Sequence, residues 1–117
     1  VYGDGEQTRS FTYVKDAIKA LLELMETPEA EGQVFNIGNG KEISMLDLAE
    51  RVKAKTHSKS EIMKIPYERI YSKGFEDMRR RTPDTNKLKA TIGYTPDTSI
   101  DVILDNVIEY FKHQQIG

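Results

Sequence analysis

Two amphipathic stripes, one near each end of the sequence, limit what this chain can fold into. Val14, Ala17, Ile18, Leu21, Leu22 and Met25 recur at the i, i+3, i+4 spacing of one apolar face, and Ile100, Ile103, Leu104, Val107, Ile108 and Phe111 do the same. Each predicts a helix that buries one side. Between them, apolar residues come only in short runs of strand length, QVFNIG at 33–38 and IMKIPY at 62–67. The second is expected at a sheet edge, because Pro66 has no N–H to give to a ladder. A third helix starts at Ser44, an N-cap with Asp47 three residues on and Ile43 placed to staple against Leu48; Ala49 and Val52 continue its inner face. A sheet of so few, short strands needs helices as cover, so the expected class is α/β: a few short strands covered by three main helices.

Local signals add detail. Val1-Tyr2 reads as a strand end running into the turn Gly3-Asp4-Gly5, and residues 9–14 as a short extended stretch. The first helix should stop near Thr27-Pro28, and Asn39-Gly40 marks a turn after the first apolar run. Asp84 can cap a minor helix through Leu88 and Ile92, ended by Gly93 with Pro96 beyond it; Thr98 or Ser99 caps the last helix. Residues 68–83 carry no regular pattern, and loops of that length are often functional.

At 117 residues the chain has room for one domain and not for a second full one. With 38% hydrophobic residues, six Tyr and four Phe it is too apolar for a disordered segment. A net charge of −2 gives no reason to expect nucleic acid or an anionic membrane as partner, so any anion site must be local. The absence of cysteine excludes disulfides, thiolate zinc sites and a thiol nucleophile. No apolar run approaches the roughly 18 residues of a membrane span, and a cytoplasmic location is the expectation. His57 and His113 stand in polar surroundings after helical stretches and read as exposed side chains. No P-loop, nucleophile elbow or Gly-x-Gly-x-x-Gly is present; Gly38-Asn39-Gly40 lacks the third glycine and reads as a turn. No catalytic or metal-ligating residue is therefore expected in the chain itself.

Two cationic features remain. Arg9 follows the glycine turn beside Gln7, where a guanidinium could fork onto a phosphate. Arg79-Arg80-Arg81 lies in the patternless stretch; it reads either as a solvated run paired with Glu76 and Asp77 or as part of an anion site, to which only one or two of the three could turn. If the fold brings Arg9 and this cluster to one cleft, they form a two-sided clamp for a diphosphate, with Tyr2, Phe11 or Tyr13 available to cover a base or sugar.

The segment GDGEQTRSFTYVKD, residues 3–16, resembles Gly-Asp-Gly-x-Gln-Thr-Arg-x-Phe-x-Tyr-Val-x-Asp of the extended short-chain dehydrogenase/reductases that act on nucleotide sugars, near the UDP-glucuronate decarboxylases and UDP-glucose 4-epimerases. The similarity continues through VFNIGNGKEISMLDLAERV, RRRTPDTNKLKATIGYTP and DNVIEYF, in the family's order and over nearly the whole chain. The resemblance implies a C-terminal substrate-binding domain, here residues 1–117, for a UDP- or dTDP-sugar. It implies that Arg9 contacts the diphosphate with Gln7 beside it, that the backbone of Val1, Tyr2 and Gly3 lies along the base, and that Arg81 is a second diphosphate arginine. Asp16 and Asp84 are expected to cap helices.

The family's glycine-rich Rossmann motif, which binds NAD, and its Tyr-x-x-x-Lys pair are absent. The resemblance thus implies a C-terminal fragment without the Rossmann domain, inactive alone. It also implies a homodimeric parent that oxidises the sugar transiently at C4 with bound NAD before epimerisation, dehydration or decarboxylation. The alternative from another class is a stand-alone, non-catalytic module that binds an anion or an acidic protein.

Overall fold

The computed structural model describes Val1–Ile70 and Met78–Gln114, and the elements follow the sequence periodicity closely at the helices. Strand β1 is Thr8–Arg9; helix α1 is Val14–Met25, followed by a single 3-10 turn at Pro28–Ala30. Strand β2, Ile43–Ser44, leads directly into α2, Met45–Lys55. A one-turn helix α3, Tyr67–Ile70, is followed by β3, Arg80–Arg81, then α4, Asn86–Ile92, and α5, Ile100–Gln114. The described residues form two compact units: one from within 1–9, 43–81 and 104–117, the other from within 10–42 and 82–103.

The first unit holds the sheet. Its order is β2-β1-β3, with β1 antiparallel to β2 and parallel to β3. Thr8 faces Ser44 and Arg80, and Arg9 faces Ile43 and Arg81. Ile43 and Leu104 are its buried apolar residues. The N-cap expected for α2 is present: the Ser44 hydroxyl accepts from the Asp47 N–H at 3.1 Å, filling one of the orphan donors of the first turn. Lys55 at the end of α2 bonds Asp105 on α5 at 2.8 Å. Tyr2 forms a single parallel bridge with Ile65, so the run at 62–67 contributes one bridging residue, and Tyr67 already starts α3.

In the second unit α1 packs against α4. Ala20 on α1 is fully buried and Leu88 on α4 nearly so. Gly93 ends α4 with φ 71°, the left-handed conformation that a glycine adopts without strain. The Ser99 hydroxyl accepts from the Val102 N–H at 3.3 Å at the start of α5.

Four expectations are corrected. Residues 33–38 form no strand: the run has no neighbouring ladder, the Gln33 N–H donates to the Ala30 carbonyl at 3.1 Å, and Lys87 Nζ donates to the Val34 carbonyl at 2.8 Å. The patternless stretch 68–83 holds the rest of α3, which starts at Tyr67, and all of β3, both too short and too polar to show periodicity. The apolar stripe of α1 is not its buried face: Val14, Ile18, Leu21, Leu22 and Met25 are all exposed, and the helix turns Ala20 inward instead. Asp16 does not cap α1, whose N-cap Tyr13 makes no side-chain bond; its carboxylate accepts from the Thr98 N–H at 3.2 Å, ahead of α5. Asp84 does accept from the Asn86 N–H at 3.0 Å, one residue before the Thr85 cap of α4.

Candidate functional site

All five residues expected to meet substrate, Tyr2, Gly3, Gln7, Arg9 and Arg81, fall in the first unit. The parallel pairing of β1 with β3 makes Arg9 and Arg81 register partners. Partners on adjacent strands about 4.8 Å apart present their side chains to the same face, so two guanidinium-bearing side chains share one small surface. Arg9 is half-buried and its Nη1 donates to the Thr8 carbonyl at 2.6 Å; Arg81 is exposed.

Gln7 is almost completely buried. Its Nε2 donates to the Tyr2 carbonyl at 3.2 Å and its backbone carbonyl accepts from the Met45 N–H at 3.0 Å, which ties the glycine turn to the start of α2. Among the described residues its Oε1 has no hydrogen-bond partner, a cost that a protein seldom carries without reason. Tyr2 and Gln7 line a cavity of about 610 Å³ together with Met45, Leu48, Val52 and Tyr67. Its walls are mainly apolar, and its size is in the range of small-molecule sites. Arg9 and Arg81 do not line it.

Gly3 and Gly5 hold φ 70° and 78°, and both are closely approached: a Cβ on Gly3 would lie 2.7 Å from the Tyr67 ring and one on Gly5 2.9 Å from Leu46. A side chain at either position is therefore strained, and glycine is favoured at both. Between them, Asp4 accepts from both guanidinium nitrogens of Arg79, at 2.7 and 2.8 Å, and from the Glu6 N–H at 2.9 Å. The Arg79 guanidinium first, and the Glu6 N–H second, hold the Asp4 carboxyl down at about 2. This ion pair was not legible in the sequence, where Glu76 and Asp77 stood nearer; those two lie outside the described residues.

The remaining candidates have structural roles. His57 sits at φ 53° just past α2, where its N–H and that of Ser58 close the helix end onto Ala54 and Lys53. His113 pairs with Glu109 one turn away, at 2.8 Å. Among the described residues no group of three His, Cys, Asp or Glu side chains could hold a metal, and no helix is long and apolar enough to cross a membrane. The Gly38-Asn39-Gly40 turn does not fit a dinucleotide either. A Cβ on Gly38 would meet the Pro83 ring at 2.7 Å, and Asn39 spends its N–H, Nδ2 and Oδ1 on Thr12, Thr98 and Lys41, so this turn leaves no backbone cradle for a pyrophosphate.

The family model described as GDP-mannose 4,6 dehydratase matches residues 1–107. The chain belongs to this family, within the extended short-chain dehydrogenase/reductases. It is 40% identical over 112 residues to the UDP-N-acetyl-alpha-D-glucosaminuronate decarboxylase of Bacillus cytotoxicus, covering 96% of this chain and 35% of that protein. It is 36% identical over 114 residues to UDP-glucuronic acid decarboxylase 1 of Arabidopsis thaliana, covering 97% and 24%. The chain thus spans about a third or less of the length of these relatives. Among solved structures, UDP-glucose 4-epimerase of Thermotoga maritima with UDP-glucose superposes with a TM-score of 0.83 at 32% identity, over 98% of this chain and 35% of that one. UDP-glucuronic acid 4-epimerase of Bacillus cereus, in complex with UDP-glucuronic acid and NAD, gives 0.81 at 26%, over 97% and 35%.

Proposed function

We propose that this chain is the substrate-binding part of an NAD-dependent nucleotide-sugar epimerase, dehydratase or decarboxylase, and that it positions the nucleoside diphosphate of a UDP- or dTDP-sugar. The observation that carries this reading is the pairing of Arg9 with Arg81 across β1 and β3. Two planar cations on one face match the two negative groups of a diphosphate, each able to fork onto phosphate oxygens. The glycine turn and the cavity beside Tyr2 and Gln7 supply the backbone edge and the apolar space that a nucleoside needs. NAD and the proton-transfer pair belong to a further part of the enzyme, since this chain's glycine turn does not fit a dinucleotide; alone, the chain is inactive. Its contribution is orientation: a sugar held by its diphosphate meets the reacting groups in a fixed geometry.

The test is Arg9→Ala and Arg81→Ala in the full-length protein that carries this sequence, with nucleotide-sugar affinity read by calorimetry. Losing one charge-assisted phosphate contact of roughly 1.5–3 kcal/mol should weaken binding by about one to two orders of magnitude and leave NAD affinity unchanged. Equal UDP-sugar affinity in wild type and both variants refutes the reading.

A further inference from the structure

We infer that Asp4 and Arg79 form a positioning latch that sets the register of β3 against β1 and so decides that Arg81, rather than its neighbour, stands beside Arg9. This rests on the function proposed above and adds to it two residues that need not touch the ligand.

Strand β3 has no buried apolar face to fix its register; just past it the Thr82 hydroxyl donates to the Glu42 carboxylate, and just ahead of it stands the grip of Arg79 on Asp4. It is two exposed arginines long, and among the described residues it pairs with β1 alone. Strands with no buried face slip easily, and a slip of one residue turns every side chain to the opposite face. In β3 such a slip would leave Arg80 opposite Arg9 and turn Arg81 away. Arg79, just ahead of the strand, is held at both ends. Its carbonyl accepts from the Thr8 N–H at 2.7 Å, the first rung beside β1, and its guanidinium forks onto Asp4. The carboxylate is fixed in turn: the Glu6 N–H caps it from inside its own loop, and the glycines on either side hold that loop in left-handed conformations. A fork onto a preorganised carboxylate specifies one position along the chain, which a single point charge would not. The depressed carboxyl of Asp4 agrees with a pair that stays ionised throughout the working range of an enzyme.

Asp4→Asn tests the latch with little risk to the fold, since the amide Oδ1 can still accept from the Glu6 N–H. In the full-length protein, nucleotide-sugar affinity in Asp4→Asn and in Arg79→Lys should fall roughly threefold to tenfold, as for loss of a forked surface pair, with NAD affinity unchanged. The decisive measurement is the cycle with Arg81. If the latch acts through Arg81, Asp4→Asn in an Arg81→Ala background should cost little more, because the residue being positioned is already gone. The swapped pair Asp4→Arg with Arg79→Asp should recover part of the loss. An unchanged affinity in Asp4→Asn, or a loss of equal size with and without Arg81, overturns the latch. The latch and the underlying reading fail separately: if Arg9→Ala and Arg81→Ala are silent, the diphosphate reading falls, whereas a strong effect there with a silent or additive Asp4→Asn removes the latch alone.

Discussion

Gly3→Ala is the perturbation whose cost can be worked out most completely from the structure. Gly3 holds φ 70°, and its N–H donates to the Ile65 carbonyl at 2.8 Å, so the residue cannot move without breaking the bridge between Tyr2 and Ile65. Two costs follow. An L-residue in the left-handed region loses about 1–2 kcal/mol. The new methyl also meets Tyr67 Cε2 at 2.7 Å and Cζ at 2.9 Å, far inside the roughly 3.5–4.0 Å at which carbon atoms attract. Pushing the ring aside is an overpacking cost of about 1–3 kcal/mol. The sum, about 2–5 kcal/mol, is large against the 5–15 kcal/mol of a typical domain. Urea unfolding followed by circular dichroism reads it directly: at a slope of about 1–2 kcal/mol per molar, the midpoint should fall by about 1 M or more. Repeating the substitution in a Tyr67→Ala background separates the two costs and should leave only the conformational part, about 1–2 kcal/mol. An equal loss in both backgrounds refutes the steric half of the reasoning, and a loss below about 0.5 kcal/mol refutes all of it.

Two further outcomes test the local chemistry. Ser44→Ala removes the hydroxyl that accepts from Asp47 and should cost about 1 kcal/mol in the same unfolding experiment, with Ser44→Asp restoring most of it. Asp4 should titrate near 2 when its carboxyl carbon is followed by NMR, returning toward 3.8 in Arg79→Ala. Because its folded value lies below its unfolded one, the pair supports the fold above pH 3.8 and ceases to do so as pH falls through about 2.

The helices were legible because their signals are local. Ser44 and Asp47 announce the start of α2, Gly93 the end of α4, and the apolar periodicity of α1 gives its length to within a residue or two. Which face of α1 turns inward was not legible. Periodicity locates a stripe but does not say what covers it: Ala20 is fully buried while Val14, Ile18, Leu21, Leu22 and Met25 stay exposed. The sheet was nearly invisible for the same kind of reason: two-residue strands have no alternation to detect, and β3 is made of arginines. Of the site, resemblance supplied Arg9, Gln7 and Arg81 as names. Their adjacency, and the grip of Asp4 on Arg79, depend on pairing between distant segments, which no local pattern encodes.

That pairing also bears on how the chain folds. The rung between Thr8 and Arg79 joins residues 71 positions apart, and a parallel contact of this span can form only after a long loop has closed. The helices can flicker into existence alone, but Arg9 acquires its partner only when the chain between them is in place. A ligand that requires both arginines would therefore bind the finished fold and ignore its precursors. Through mass action its presence would raise the apparent stability of the chain, by an amount that grows with ligand concentration.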